Sequence, residues 1–297
     1  TTEIYTLSLH DALPISEETI KRNQVKFKCP VCGVTMALRN HDSMICKNRH
    51  CFDLSKTGYL NLLASRSNAV YSKELFESRH QVCLRGFYDP LTEELSKIIQ
   101  NYADSSGLGN PAILDAGCGE GSHLSRLSQR INSALKCGLF GIDIAKEGLK
   151  IASKNDEDIV WVVADLAKLP FRDGSFQVIL NILSPANYLE FERVLAPEGI
   201  VVKVIPEKSY LEELRTLIYK NNSYSNDKVI DYFSNKLELV SKQNIRYQFS
   251  VDEDILPHLI KMTPLTWGGS VTETDISRME LPTVTVDLTI VIGKKKR

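Results

Sequence analysis

Four of the seven cysteines of this 297-residue chain fall in one segment, FKCPVCGVTMALRNHDSMICKNRHCFD. Cys29-x2-Cys32 forms a Cys-Pro-x-Cys-Gly turn, and after a spacer of thirteen residues comes Cys46-x3-His50. A tight turn puts two thiolates together where backbone amides support their charge, and the second pair closes a tetrahedral zinc site. Four protein ligands leave no open position, so the expected role of the metal is in folding, with no direct chemistry. Cys51 follows His50 immediately and offers an all-cysteine alternative, with His50 the preferred fourth ligand. A disulfide scaffold fits poorly, because an odd cysteine count leaves a thiol unpaired. Cys83, Cys118 and Cys137 read as small buried hydrophobes.

A second constellation lies in AILDAGCGEGSHLSRLSQRI. An apolar strand ends at Asp115, and Gly117, Gly119 and Gly121 follow before a helix, letting backbone approach a ligand at the carboxyl end of the strand. The next strand, in CGLFGIDIAKEGLKIA, ends at Asp143, 22 residues after Gly121, where a carboxylate can accept bonds from both ribose hydroxyls of a nucleoside cofactor. The turn is D-x-G-x-G-x-G and lacks the G-x-G-x-x-G spacing of a dinucleotide site. It therefore suits the carboxylate and amine of a methionine better than a pyrophosphate. A third strand, IVWVVADLAKLPF, supplies Asp165 within reach of an adenine amino group. For Asp143 and Asp165 the plainer reading is a strand-end cap or turn former.

The elements that must position these groups alternate strand and helix in the order of a doubly wound sheet. SFQVILNILSP is a fourth strand, LEFERVLAPEGIVVKVIP a helix and strand, and TVTVDLTIVIG a late buried strand. Ahead of the glycine turn, Leu91 to Tyr102 has a helical pattern, and residues 64 to 82 read as a polar, mobile linker. The expected organisation is therefore a zinc-binding module over 21–63, a linker and helical lead-in over 64–110, and a catalytic domain over 111–297. Residues 5 to 16, YTLSLHDALPIS, look like a translated sequencing-adapter oligonucleotide, so 1–20 is set aside as foreign or disordered. The alternative is a short genuine helix.

Hydrophobic residues make up 43% of the chain and charged ones 25%, a composition that excludes disorder and supports a large core. No apolar run is long enough for a membrane helix, so a cytoplasmic protein is expected. The net charge of -1 hides an asymmetry: residues 21 to 63 carry eight Lys and Arg against Asp42 and Asp53. A basic module on an acidic enzyme suggests a polyanionic partner. A solvated charged face is the plainer account, and the terminal Lys294, Lys295, Lys296 and Arg297 read that way.

The run of motifs from Pro111 to Pro206 resembles the class I (Rossmann-like) S-adenosylmethionine-dependent methyltransferase fold, α/β, with the last strand inserted antiparallel beside its neighbour. The Cys-Pro-x-Cys module, FDLSKTGYLNLL, ESRHQVCLRGFYDPL and MTPLTW narrow this further. Together, from Phe27 onward, they resemble the bacterial 23S rRNA guanine-N1 methyltransferases that carry an N-terminal zinc finger. That resemblance implies zinc on Cys29, Cys32, Cys46 and His50, and S-adenosylmethionine contacts at Tyr88, Gly119 and Glu120. Tyr210 stands where relatives have a cofactor-contacting histidine, a departure that puts its role in question. The resemblance further implies a 23S rRNA hairpin as partner, recognised by the finger, and a homodimer holding it; neither DNA nor a membrane is expected.

Guanine N1 carries a proton, so an acceptor or base should face it, but no residue announces itself as that base. Asn181, Ser184 and Pro185, in Asn-Ile-Leu-Ser-Pro at a strand end, are candidates to line the guanine pocket or simply end the strand. Trp267 could stack on an extruded base or sit in the core. The competing functions are a small-molecule methyltransferase, which would need no zinc module, and an RNA-binding protein that has lost catalysis, which would not need intact Asp115, Gly117, Gly119 and Asp143.

Overall fold

The structure is a computed structural model that describes residues 16–63, 71–107, 109–131, 135, 137–156, 158–218, 226–263 and 281–296. Its strands bury side chains on both faces in alternation, as a parallel sheet covered on two sides requires. The central strands are β5 (Ala112–Ala116), β6 (Gly138–Asp143), β7 (Val160–Val163), β8 (Phe176–Ile182) and β9 (Leu195–Pro206), joined in parallel. β11 (Thr283–Lys294) runs antiparallel between β9 and β10 (Glu238–Ser250), as the sequence led us to expect. β10 is the exposed edge, and the charged Glu238, Lys242 and Arg246 blunt it against stray pairing.

The zinc segment begins with β1 (Met36–Arg39), β2 (Ser43–Cys46) and β3 (Cys51–Asp53), a small antiparallel sheet. Its last strand, β4 (Tyr59–Asn61), leaves that sheet and pairs in parallel with β7, so the large sheet has eight strands in the order β10-β11-β9-β8-β5-β6-β7-β4. Phe27 bridges to Phe171 and stacks on it with ring centroids 5.2 Å apart. Backbone bonds from Lys28 N to Pro170 O (3.0 Å) and from Arg172 N to Lys26 O (2.8 Å) flank this contact. Met36, Met44 and Leu60 share one buried cluster with Phe140, Phe171 and Phe176, so the segment over 21–63 packs its apolar face directly onto the sheet.

Helix α1 (Ser16–Asn23) starts within the region set aside from the sequence, and its Ile20 is 1% exposed in this same cluster. Residues 1–15 lie outside the described ones. The opposite face of the sheet is covered by α2 (Lys73–Leu84), α3 (Asp89–Ser106), α4 (Ser122–Arg130), α5 (Lys146–Asn155) and α9 (Leu256–Lys261). α6 (Tyr188–Val194) and α8 (Asp227–Lys236) lie on the ribbon side, and α7 (Glu212–Ile218) precedes α8 in the chain.

α2 corrects the expectation of a mobile linker through residue 82. Ser72 caps it by accepting from Leu75 N (3.3 Å), and Leu75, Phe76, Val82 and Cys83 are buried. The charged and polar residues between those positions blur the helical period in sequence, and α9 and α5 supply the partner surfaces that the pattern alone does not reveal.

Because the ribbon and the sheet share one core, we expect them to unfold together. Phe27→Ala should cost about 3–5 kcal/mol through loss of a buried aromatic, and calorimetry should show one transition moved down. A second, separate transition for the ribbon would contradict the shared core.

Candidate functional site: a zinc knuckle and a strand-end cleft

The cysteine turn is built by short backbone bonds. Cys29 N donates to Val34 O and Gly33 N to Cys29 O, both at 2.8 Å, while Gly33 takes φ 76°, a left-handed conformation that glycine adopts without strain. On the other side, Cys46 ends β2 and exchanges bonds around the following turn (Arg49 N to Cys46 O, 2.9 Å; Cys46 N to His50 O, 3.1 Å). This brings Cys29 Sγ to 3.5 Å and Cys46 Sγ to 3.4 Å from His50 Nδ1, with Cys32 Sγ 3.7 Å from Cys46 Sγ. A tetrahedral zinc with ordinary Zn–S and Zn–N bonds requires ligand edges of about 3.5–3.8 Å, the spacing of these three contacts, and all four ligand atoms lie within 4.8 Å of one another. Cys51 is exposed, and its thiol faces Asp53 Oδ1 at 3.6 Å, which resolves the choice of fourth ligand in favour of His50. The site is closed and structural.

The second site is a cavity of about 1260 Å³ at the carboxyl ends of β5 to β9. Gly117, Gly119, Asp143, Asp165, Ser184, Pro185, Tyr88 and Tyr210 all line it. Gly117 has φ 85°, and a Cβ there would overlap the Ser184 side chain, so the bare backbone is needed for the turn to pass beneath the cavity. Asp143 accepts from Gly119 N with one oxygen and from Ala145 N with the other, each at 2.8 Å. The carboxylate thus shapes the glycine turn while facing the cavity, and its second lone pairs remain for a ligand. Asp165 is exposed and accepts from Ala167 N (2.8 Å), a turn former that still presents an oxygen to the cleft.

Asp115 and Glu120 lie deeper, 1% and 2% exposed. Among the described residues, neither Asp115 oxygen nor Glu120 Oε1 has a hydrogen-bond partner. Burial, with Asp143 and Glu120 adding like charge, pushes the Asp115 carboxyl up to about 8. Unpartnered acidic groups under a glycine cradle suit a cationic ligand, whose charge would offset their desolvation. S-adenosylmethionine, with its sulfonium and ammonium, is such a ligand.

Tyr88 and Tyr210 meet hydroxyl to hydroxyl at 2.7 Å, and the Tyr88 ring packs on His123 at 4.6 Å between centroids. The tyrosine at position 210 therefore closes a pair that forms part of the cavity wall. Burial, assisted by Arg79 and Arg126, drives the His123 imidazole down to about 3, so it is neutral at physiological pH.

Asn181 proves to be an internal strut. It is fully buried, its amide nitrogen donates to Ala116 O (2.7 Å) and Pro185 O (3.0 Å), and its oxygen accepts from Lys203 Nζ (2.6 Å). Trp267 lies outside the described residues, although Met262 and Thr263, just before it in the chain, stand at the cavity edge.

Sequence reasoning does not single out the cavity-lining cations Arg79, Lys203, Arg215 and Lys228. Burial is the largest influence on Arg79 and opposes its charge, but the Glu120 carboxylate, together with Tyr88, Cys83 and Tyr210, outweighs it and holds the guanidinium pKa above its usual value. The signal for Lys203 was available: a lysine in the middle of the apolar strand IVVKVIP is the kind of buried polar residue that asks for a reason.

A Rossmann-like sheet with its last strand reversed and a glycine-turn cleft at its strand ends defines an S-adenosylmethionine-dependent methyltransferase carrying a structural zinc ribbon. Residues 113–199 match the family described as methyltransferase domain, and residues 27–67 match the zinc ribbon described as RlmA, N-terminal. The Bacillus subtilis strain 168 protein YxjB, described as a "putative 23S rRNA (guanine-N(1)-)-methyltransferase", is 39% identical over 91% of this chain and 97% of its own. The 23S rRNA (guanine(748)-N1)-methyltransferase of Streptomyces fradiae is 29% identical over 89% of this chain and 94% of its own. The rat arginine-hydroxylase NDUFAF5 is 30% identical, but over only 43% of this chain and 38% of its own. Part of the chain is thus shared with a different chemistry, and the match along nearly the whole length distinguishes the family. The chain belongs to the 23S rRNA (guanine-N1)-methyltransferases with an N-terminal zinc ribbon.

Zinc content separates the two candidate ligands directly. Cys51→Ser should retain one zinc per chain by elemental analysis, whereas Cys46→Ser or His50→Ala should lose it along with several degrees of thermal stability. Zinc loss in the Cys51 variant would reverse the ligand assignment.

Proposed function

We propose that this chain transfers the methyl group of S-adenosylmethionine to N1 of one guanine in a hairpin of 23S rRNA, acting in the cytoplasm as a homodimer. The observation that carries this reading is the welding of a basic zinc ribbon to the sheet that holds the cofactor cleft. A small-molecule enzyme needs no such surface. Arg39, Lys47, Arg49 and Lys56 are exposed on the ribbon, available to RNA phosphates. The full-length likeness to relatives named for this reaction supports the target atom.

In this reading the cofactor supplies an activated methyl group on a sulfonium, and the protein supplies placement. The Gly117–Gly119 backbone and Arg79 receive the methionine end, Asp143 the ribose and Asp165 the adenine. Glu120, Asp115 and the Tyr88–Tyr210 pair line or underlie the same pocket. Ser184 and Pro185 border the place for a base withdrawn from its helix. Methyl transfer is an in-line displacement, so alignment and exclusion of water account for most of the rate.

Labelled S-adenosylmethionine incubated with the zinc-loaded protein and unmodified 23S rRNA should yield label at N1 of a single guanine, located by nuclease digestion and mass spectrometry. Label on another atom, or none on rRNA, would refute the reading. Replacing Arg39, Lys47 and Arg49 together should weaken RNA binding and reduce its salt slope by about 0.7–0.9 for each phosphate no longer neutralised. An unchanged slope would remove the ribbon from the interface.

A proton balance tests the cofactor pocket. With its carboxyl raised to about 8, Asp115 is mostly protonated near pH 7, and a cationic ligand above it draws that value down. Binding of S-adenosylmethionine near pH 7 should therefore release up to about one proton. Titration calorimetry in buffers of different ionisation enthalpy reads that number. Asp115→Asn should abolish the release, and proton uptake by the wild type would contradict the assignment.

A further inference from the structure

The proposed reaction needs a group to take the proton from guanine N1, and the cavity wall contains a side chain built for it. Lys203 sits in β9 level with Asn181 of β8, and it lines the strand-end cleft together with Ser184 and Pro185. It is 6% exposed. Nζ donates to Asn181 Oδ1 at 2.6 Å and to the Ser184 carbonyl at 2.8 Å. Both acceptors are neutral. Asn181 cannot turn away, because its amide nitrogen is tied to Ala116 O and Pro185 O.

A neutral amine has two N–H bonds and one lone pair. The two donations use the N–H bonds of Lys203, leaving its lone pair as the one unused valence. We propose that Lys203 is the base that accepts the N1 proton of the target guanine, held in that role by Asn181 and the Ser184 carbonyl. This rests on the guanine-N1 reading above and assigns a role that reading leaves empty.

The electrostatics agree with the geometry. β8 brings Asn181 against Lys203, the turn after β8 brings Ser184, and β11 brings Val291 opposite it in register, none of them charged. The titratable groups on the same cavity wall are Asp143, Asp165, Glu207, Arg79, Arg215, Lys228, His123, Cys118, Tyr71, Tyr88, Tyr188, Tyr210 and Tyr232. Burial is the cause of the shift at Lys203, lowering its ammonium to about 8. A usable fraction is therefore the free amine near neutral pH, where a base works best if its pKa lies close to the operating pH.

Asp165 is assigned to the adenine in the reading above, and several other groups of the wall are engaged elsewhere. Asp143 holds the glycine turn with both oxygens, Glu207 Oε1 accepts from Thr289 (2.6 Å), and Tyr88 and Tyr210 bind each other.

The step balances. The N1–H bond breaks and its proton forms the third N–H of Lys203. The N1 pair forms the N–CH3 bond as the S–CH3 bond breaks, and that pair remains on sulfur. The products are N1-methylguanine, S-adenosylhomocysteine and a lysine ammonium, which then returns its proton to water.

The test compares wild type, Lys203→Met and Lys203→Arg as full-length, zinc-loaded proteins on 23S rRNA. Single-turnover rates are measured across neutral to alkaline pH, with products mapped by mass spectrometry and S-adenosylmethionine affinity by calorimetry. Arginine keeps the charge and the donors but cannot lose its proton.

Both variants should bind S-adenosylmethionine within about threefold of wild type and lose roughly 10²–10³-fold in rate near pH 7, the scale of general-base catalysis. The deficit should shrink as the pH rises to where guanine N1 ionises unaided. A Lys203→Arg enzyme as fast as wild type would overturn the proposal, as would a deficit in Lys203→Met that is the same at every pH. If the wild type itself places no methyl on guanine N1, the functional reading fails first and this inference falls with it.

Discussion

A parallel sheet has to be covered on both faces, because its strands are apolar on both, and that requirement organises this molecule. One face is covered by helices in the ordinary way. On the other, Phe27, Met36, Met44 and Leu60 of the zinc ribbon supply much of the cover, packed against Phe140, Phe171 and Phe176. A ribbon this small has little core of its own, so it takes one from zinc and from the sheet. Its last strand then extends the sheet beside β7, on the side where Asp143 and Asp165 end their strands. The basic surface of the ribbon and the cofactor cleft are therefore parts of one packing unit, which fixes the distance between them without a hinge.

The same sheet concentrates charge at its carboxyl edge. Asp115, Glu120 and Asp143 crowd together beneath the glycine turn with Arg79 above them, an arrangement costly in an empty site and relieved by a cationic ligand. The opposite half of the cleft is different in character. There Lys203, Asn181 and the Ser184 carbonyl form a buried network without a carboxylate, next to a turn in which Leu183 takes φ 50°. Strain of this kind is held only where surrounding contacts enforce it, here the two bonds of Lys203 and those of Asn181. The cleft is acidic where a cation should bind and offers an amine where a proton should leave.

Much of this was legible in the chain itself. The spacing Cys29-x2-Cys32 with Cys46-x3-His50 identifies a zinc site because ligand geometry is local: a turn places each pair, and one hairpin brings the pairs together. D-x-G-x-G-x-G and the strand-ending Asp143 are legible for the same reason, since a strand, a tight turn and the next strand set their positions almost without help from the rest of the fold. The order of strands and the reversal of the last one followed from the resemblance those motifs carry.

Other features depend on neighbours distant in sequence, and only the tertiary structure decided them. His50 was chosen over Cys51 because the turn after Cys46 aims one inward and leaves the other beside Asp53. Asn181 became a strut because Ala116 and Pro185 take its amide nitrogen and Lys203, from another strand, takes its oxygen. α2 exists as a packed helix because α9, from far along the chain, covers it. The merging of ribbon and sheet through Phe27 and Phe171 joins residues 144 positions apart. Composition and period describe what a segment can bury, but which surface it meets is settled by the global packing, and that determines whether a polar group faces ligand, solvent or another side chain.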